Sequence, residues 1–430
     1  MDTIQEKKLQ ENGLKLHFIQ SKKYKTINIV AKLRAPLERE TITKRALLPY
    51  ILKQATKNYP SRSELQLKLD DLYGAVLSAD GSKKGENHII SIRLEVANEK
   101  FIPDESAIID DALSLFSEVL FKPNIKENGF DEAIFNREKD TLKQKIHAVK
   151  DDKMSYANRR LIDEMCKDEP YQLHVHGYEE DLNNLTNEAL YAYYKSILKQ
   201  DELDLYVLGD FDEDSIKQKL TSEMHREQQQ DNQNQVISKA NKKSEEPKEV
   251  IEKQNVQQAK LHIGYRTNTL FKDDDYFALQ VFNGIFGGFP SSKLFINVRE
   301  KNSLAYYASS RLESHKGLLF VFSGIAPEDF EKARDIIRLQ VIAMKDGDFT
   351  ETELSETKEL IINQLKETMD HPQGLIEMLY QQVVGNKTMP PEQLIDGIRN
   401  VTKEQVVQIA EKIEEDTVYL LTSEGGSNDE

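Results

Sequence analysis

The chain is short of cysteine, of net positive charge and of long apolar runs. Its single cysteine, Cys166, excludes an intrachain disulfide and a thiolate-rich metal site. It sits in Leu161-Ile162-Asp163-Glu164-Met165-Cys166, a run with the look of a helix face, so a buried structural thiol is expected. The net charge of -16 lacks the basic footprint of a nucleic-acid binder and of a polybasic membrane anchor. No apolar run approaches the roughly 18–20 residues of a transmembrane helix. The first residues, Met1-Asp2-Thr3-Ile4-Gln5-Glu6, have neither the basic head nor the apolar core of a signal peptide. A cytoplasmic protein with no membrane and no nucleic-acid partner is expected.

What is present is a repeated pattern. Asn184-Leu185-Thr186-Asn187-Glu188 is echoed by Asn400-Val401-Thr402-Lys403-Glu404. Each opens a predicted helix with a threonine N-cap, and each helix leads to a short apolar strand, Leu203–Leu208 and Val418–Leu421. Upstream, Phe130-Asp131-Glu132 opens a helix carrying Leu142 and Ile146 and running to Asp151. Phe349-Thr350-Glu351 opens one carrying Ile361 and Leu365 and running to Asp370. The matched offsets predict a duplication. Strands are predicted at 15–19, 27–30, 89–96, 261–265 and 318–322, and helical spacing covers 276–286. The expected architecture is α+β, two tandem homologous units, each a mostly antiparallel sheet with helices. The expected boundaries are residues 1–225, a polar flexible linker at 226–257 with almost nothing to bury, a second unit at 258–424, and a frayed tail at 425–430.

Chemistry concentrates in the second unit. A glycine-rich turn, Phe286-Gly287-Gly288-Phe289-Pro290-Ser291-Ser292-Lys293-Leu294-Phe295, precedes Val298-Arg299-Glu300-Lys301-Asn302-Ser303-Leu304-Ala305-Tyr306-Tyr307. Arg299 offers a fork of donors for a carbonyl or carboxylate. Tyr306 offers a phenol able to donate to a developing oxyanion. The turn lacks the Gly-Lys-Ser/Thr ending of a phosphate loop. The stretch resembles the second-domain signature of the M16 zinc peptidases, the insulinase and mitochondrial-processing-peptidase family. That resemblance implies substrate and transition-state contacts by Arg299 and Tyr306, and a substrate-touching loop at Gly287, Gly288 and Ser292.

The same resemblance locates what is missing. M16 enzymes carry His-x-x-Glu-His on an early helix. Counting back from Ala55-Thr56-Lys57-Asn58-Tyr59-Pro60-Ser61 puts Ala46-Leu47-Leu48-Pro49-Tyr50 on that motif. Ala46 and Tyr50 then stand at the histidine positions, Pro49 at the general base, and Lys145 near the third ligand. None can serve a zinc hydrolase, which needs three ligands and a base. The nine histidines are scattered. His174 and His176 are the one close pair, expected to be polar loop residues. No metal and no cofactor is expected on this chain. The resemblance implies a non-catalytic subunit that pairs with a zinc-bearing M16 paralogue, or forms a homodimer in its absence, and presents Arg299 and Tyr306 to an extended peptide. The alternative is a peptide-binding or scaffold protein with no protease role.

Overall fold

The computed structural model describes residues 4–102, 107–226 and 246–423. Most of the expected linker, and the tail at 425–430, lie outside them. The chain is α+β, and its contacts divide it into two compact units. One comprises Met1–Ala148, Leu173–Val236 and Pro372–Glu377; the other comprises Val149–Gln172, Ile237–His371 and Met378–Glu430.

The first unit opens with β1 (Glu6–Glu11), β2 (Leu14–Gln20) and β3 (Thr26–Pro36), then α1 (Ile42–Leu52) and α2 (Arg62–Asp71). Next come β4 (Val76–Lys84), β5 (Asn87–Ala97) and α3 (Ile108–Phe121). A small hairpin, β6 (Ile125–Lys126) with β7 (Gly129–Phe130), leads into α4 (Glu132–Asp151). After α5 (Lys153–Met165), which belongs to the second unit, come α6 (Glu179–Asn184), α7 (Asn187–Gln200), β8 (Glu202–Gly209) and α8 (Glu213–Glu223). The sheet order is β1-β2-β8-β3-β5-β4; every pair is antiparallel except β2 with β8. The period-2 alternation of β3 sends Ile27, Ile29, Ala31 and Leu33 into one core with Leu47 of α1, Phe116 of α3 and Leu190 of α7. Lys32 alternates to the other face and is buried there. It is met by Glu377, which lies 2.7 Å from both Lys32 and Lys84.

The second unit has α5, β9 (Lys248–Lys253), β10 (Ala259–Arg266), α9 (Tyr276–Asn283), β11 (Ala305–Glu313) and β12 (Leu318–Ile325). It continues with α10 (Phe330–Lys345), α11 (Glu351–Asp370), the part of α12 (Pro372–Gly385) from Met378 onward, α13 (Pro391–Arg399), α14 (Lys403–Lys412) and β13 (Glu414–Thr422). Its sheet order is β11-β12-β10-β13-β9, antiparallel throughout except β13 with β9. Aligned as β4-β5-β3-β8-β2 and β11-β12-β10-β13-β9, the two sheets have the same order and the same strand senses. A duplicated unit would produce that identity. Thr186 and Thr402 both cap their helices, accepting from the Ala189 and Gln405 N–H groups.

Three details differ from expectation. Lys248–Lys253, assigned to the linker for its polarity, is a strand, because the parallel β13 supplies its hydrogen bonds. The 149–172 stretch, assigned to the first unit by position, joins the second. Leu161 and Met165 of α5 share a core with Phe320, Phe322 and Tyr419. They approach so closely that a Cβ at Gly264 would lie 2.5 Å from the Met165 sulfur. On α11, Ile362 is buried while Ile361 and Leu365 are only half-buried, a face rotated by about one residue. No helix among the described residues is long and apolar enough to cross a membrane.

One buried polar group makes the first sheet pH-sensitive. His17 on β2 stacks on Tyr206, with ring centroids 4.2 Å apart. Its Nδ1 lies 2.6 Å from Glu6 and its Nε2 lies 2.9 Å from Asp204. Burial alone would lower the His17 pKa, but the bonds to Asp204 and Glu6 outweigh it and raise it above 6.5. The protonated ring therefore stabilises the fold fully below about pH 6.5, and that contribution is lost as pH rises through the folded-state value. Urea midpoints should fall across that window in the wild type and fall less in His17→Gln. Parallel profiles for the two proteins would refute the assignment.

Candidate functional site

Arg299 and Tyr306 owe their placement to irregular backbone. α9 runs directly into a π-helical turn at Gly284–Gly288, and a second covers Phe295–Glu300. The Lys301 N–H reaches the Ile296 carbonyl at 2.9 Å, the i→i−5 spacing of such turns, which recur at functional sites. Ser303, at φ 51°, then reverses the chain into β11. Across β11 and β12 the register steps from Ala305↔Ile325 to Tyr307↔Gly324. Tyr306 is thus the extra residue of a β-bulge, and a bulge re-aims a side chain that strict alternation would dictate. Tyr306 is 78% exposed. Its neighbour Tyr307 is half-buried, with burial pushing its phenol up to about 12.

Arg299 lies over the Phe295 ring, 4.5 Å from its centroid. Its Nε is 3.9 Å from Glu300, a loose exposed pair of little energetic weight. Arg299 and Tyr306 line one open cleft of about 880 Å³, together with Glu300, Gln258, Glu328 and Asp329. The strand carrying Tyr306 ends the sheet, so its outer N–H and C=O groups are available to an extended chain. The cleft therefore offers a backbone edge, a guanidinium fork and a phenol at one place.

The glycine-rich segment behaves differently from the expected contact loop. Gly287 is buried, and a Cβ there would lie 2.5 Å from the Ser310 hydroxyl and 2.6 Å from Leu294. Ser292 is 1% exposed, with its hydroxyl facing the Phe295 N–H at 3.4 Å. These two residues pack the turn that carries Arg299. Only Gly288 of the three is exposed.

In the first unit, Ala46, Pro49 and Tyr50 lie on α1. Ala46 is buried in the core and Tyr50 packs against it. Pro49 lies inside α1, three residues before its end at Leu52, where proline leaves the Arg45 carbonyl without its usual helical donor. The Lys145 ammonium of α4 sits 5.6 Å from the centre of the Tyr50 ring, so positions 50 and 145 do meet. A cation and a phenol stand together at these two positions.

The His174–Tyr178 loop is held against α1. The Thr43 hydroxyl accepts from the Tyr178 N–H at 3.0 Å and donates to Asp181 at 2.5 Å. Gly177 has φ +69°, and a Cβ there would lie 2.4 Å from the Thr43 hydroxyl. His174 stacks on Tyr178. Burial, then Lys145, lowers His176 to about 4, so it is neutral at pH 7. Among the described residues no group of three or more His, Cys, Asp and Glu is placed to hold a metal ion.

Two features escaped the sequence. One is the Tyr306 bulge. The other is the fully buried Arg45, which donates to Asp201 at 2.7 Å, to the Leu33 carbonyl at 3.2 Å and to His88 Nδ1 at 3.2 Å. Burial and Arg45 together lower His88 to about 3.

Comparison with known proteins agrees with this picture. Residues 184–361 match the family model described as the Peptidase M16 inactive domain. The chain is 46% identical over 428 residues, all of both chains, to "Probable inactive metalloprotease YmfF" of Bacillus subtilis (strain 168). It is 23% identical to "Uncharacterized zinc protease YmxG" of the same strain, over 74% of this chain and 76% of that protein. A crystal structure of a conserved protein from Enterococcus faecalis V583 superposes with a TM-score of 0.90 at 32% identity, over 98% of this chain and 100% of that one.

Proposed function

The chain belongs to the M16 peptidase family and resembles its inactive members, and on that premise we propose that it is the zinc-less subunit of a two-chain peptidase. A zinc-bearing M16 paralogue would supply the metal and the activated water. This chain supplies the second half of the site. The β11 edge aligns an extended peptide, Arg299 holds a backbone carbonyl, and the Tyr306 phenol donates to the oxyanion as the carbonyl is attacked. The observation that carries this reading is the bulge. It turns Tyr306 out of the sheet into the cleft that Arg299 also lines. A chain with only a scaffolding role has no need of that arrangement. The single buried thiol suits a reducing cytoplasm.

Isolation of the tagged protein from its own cells, with mass spectrometry of what stays bound, tests the pairing. A stoichiometric chain of similar length bearing His-x-x-Glu-His is the expected result. Recovery of the protein alone, or as a homodimer only, would sink the two-chain reading and leave the peptide-binding scaffold.

A further inference from the structure

A second feature, independent of the cleft, lies in the first unit at the end of the sheet where β3 leaves it. A cavity of about 330 Å³ opens there, bounded by β3, the connection to α1, the start of β5, the end of α7 and the start of β8. That volume is in the range of small-molecule sites. Arg34 lines it and is only 5% exposed. Its Nε has no hydrogen-bond partner, and among the described residues no carboxylate forms an ion pair with it.

The nearby acids do not compensate this charge. Asp201 is engaged by Arg45 at 2.7 Å, and Glu202 is engaged by Lys15. A buried guanidinium nitrogen without a partner is costly, and native proteins rarely leave one so. The rest of the lining is mixed, with Ala35, Pro36 and Ile197 beside polar groups. Asn87 is 7% exposed, and the Thr41 and Tyr193 hydroxyls are neighbours. Glu38 is exposed, also lines the cavity, and has no ion pair among the described residues.

An unmatched buried cation with an unmatched exposed carboxylate fits a ligand that carries both complements. We propose that this cavity binds an α-amino carboxylate, either a free amino acid or the C-terminus of a short peptide. The ligand's carboxylate pairs with Arg34, with Asn87 and Thr41 as neutral donors. Its nitrogen, as ammonium or amide N–H, faces Glu38. The arrangement has a consequence for the empty protein as well. Because Arg34 has no partner, a neutral residue there removes a buried charge and leaves no other charge unpaired.

Isothermal titration of the full-length chain with Ala-Ala, its C-terminal amide and free L-alanine tests the proposal, alongside thermal unfolding without ligand. The dipeptide acid should bind at least ten-fold tighter than its amide, and Arg34→Gln should abolish that preference. Ligand-free Arg34→Gln should melt at or above the wild-type temperature. L-alanine binding as tightly as Ala-Ala identifies a free amino acid as the ligand; binding of Ala-Ala alone identifies a peptide terminus. Equal affinity for acid and amide, or no binding of any of the three, would overturn the proposal. So would a lower melting temperature for ligand-free Arg34→Gln, since that would give Arg34 a structural partner.

Discussion

Tyr306→Phe should lower peptide turnover about 10²–10³-fold in a complex reconstituted with the proposed zinc-bearing partner, the loss seen when one oxyanion donor is removed. The phenol oxygen is the one group of Tyr306 that phenylalanine lacks, and the ring's exposure leaves little packing to disturb. Because a donor to a developing charge acts in the transition state, the loss should appear in kcat with KM nearly unchanged. Arg299→Ala should cost both terms, since a guanidinium also binds ground-state carbonyls. Arg299→Lys should rescue poorly, because an ammonium lacks the planar fork. Size-exclusion chromatography of each variant complex must show the pair intact. Unchanged kcat in both Tyr306→Phe and Arg299→Ala would make the pair a relic and remove the catalytic role.

Asp201→Ala should destabilise the protein by about 3–5 kcal/mol, the cost of leaving one member of a buried ion pair unmatched. Arg45 is 1% exposed and Asp201 5% exposed. The other Arg45 bonds, to the Leu33 and His88 carbonyls at 3.2 and 3.3 Å, to His88 Nδ1 and to the Tyr193 hydroxyl, satisfy donors without neutralising the charge. Replacing both partners with Arg45→Met and Asp201→Leu should recover most of the loss, since matched apolar groups leave nothing unpaired. Urea unfolding followed by circular dichroism measures both. A single-variant loss below about 1 kcal/mol would show that solvent reaches Arg45. The contrast with Arg34 is direct: removing the partner of Arg45 strands a buried charge, whereas neutralising Arg34 strands none.

Local signals in this chain were legible because they are local. A threonine whose hydroxyl can accept from a backbone N–H three residues on is a local N-cap signal, and Thr186 and Thr402 cap their helices in this way. The helices read as carrying Leu142 with Ile146 and Ile361 with Leu365 are present as α4 and α11. Alternation marked β5, whose later residues leave one face partly exposed. The Gly287–Ser292 segment was misjudged for the converse reason. Glycine signals conformational freedom or close approach equally, and only the neighbouring Ser310 and Leu294 show that here it is close approach.

By itself, the sequence determined the α+β class, the repeated pattern, the Arg299–Tyr306 spacing and the absence of ligand side chains at positions 46, 49, 50 and 145. The first three follow from residue identity and patterning; the choice of those four positions is what the family resemblance implies. The tertiary structure alone decided that Lys248–Lys253 is a strand, that α5 packs in the second unit, and that Tyr306 leaves the sheet at a bulge. It alone decided that Arg45 is paired while Arg34 is not. These depend on hydrogen-bond partners, apolar faces and carboxylates supplied by residues far along the chain. Strand pairing and charge compensation are settled by proximity in space, which a run of neighbouring residues does not encode.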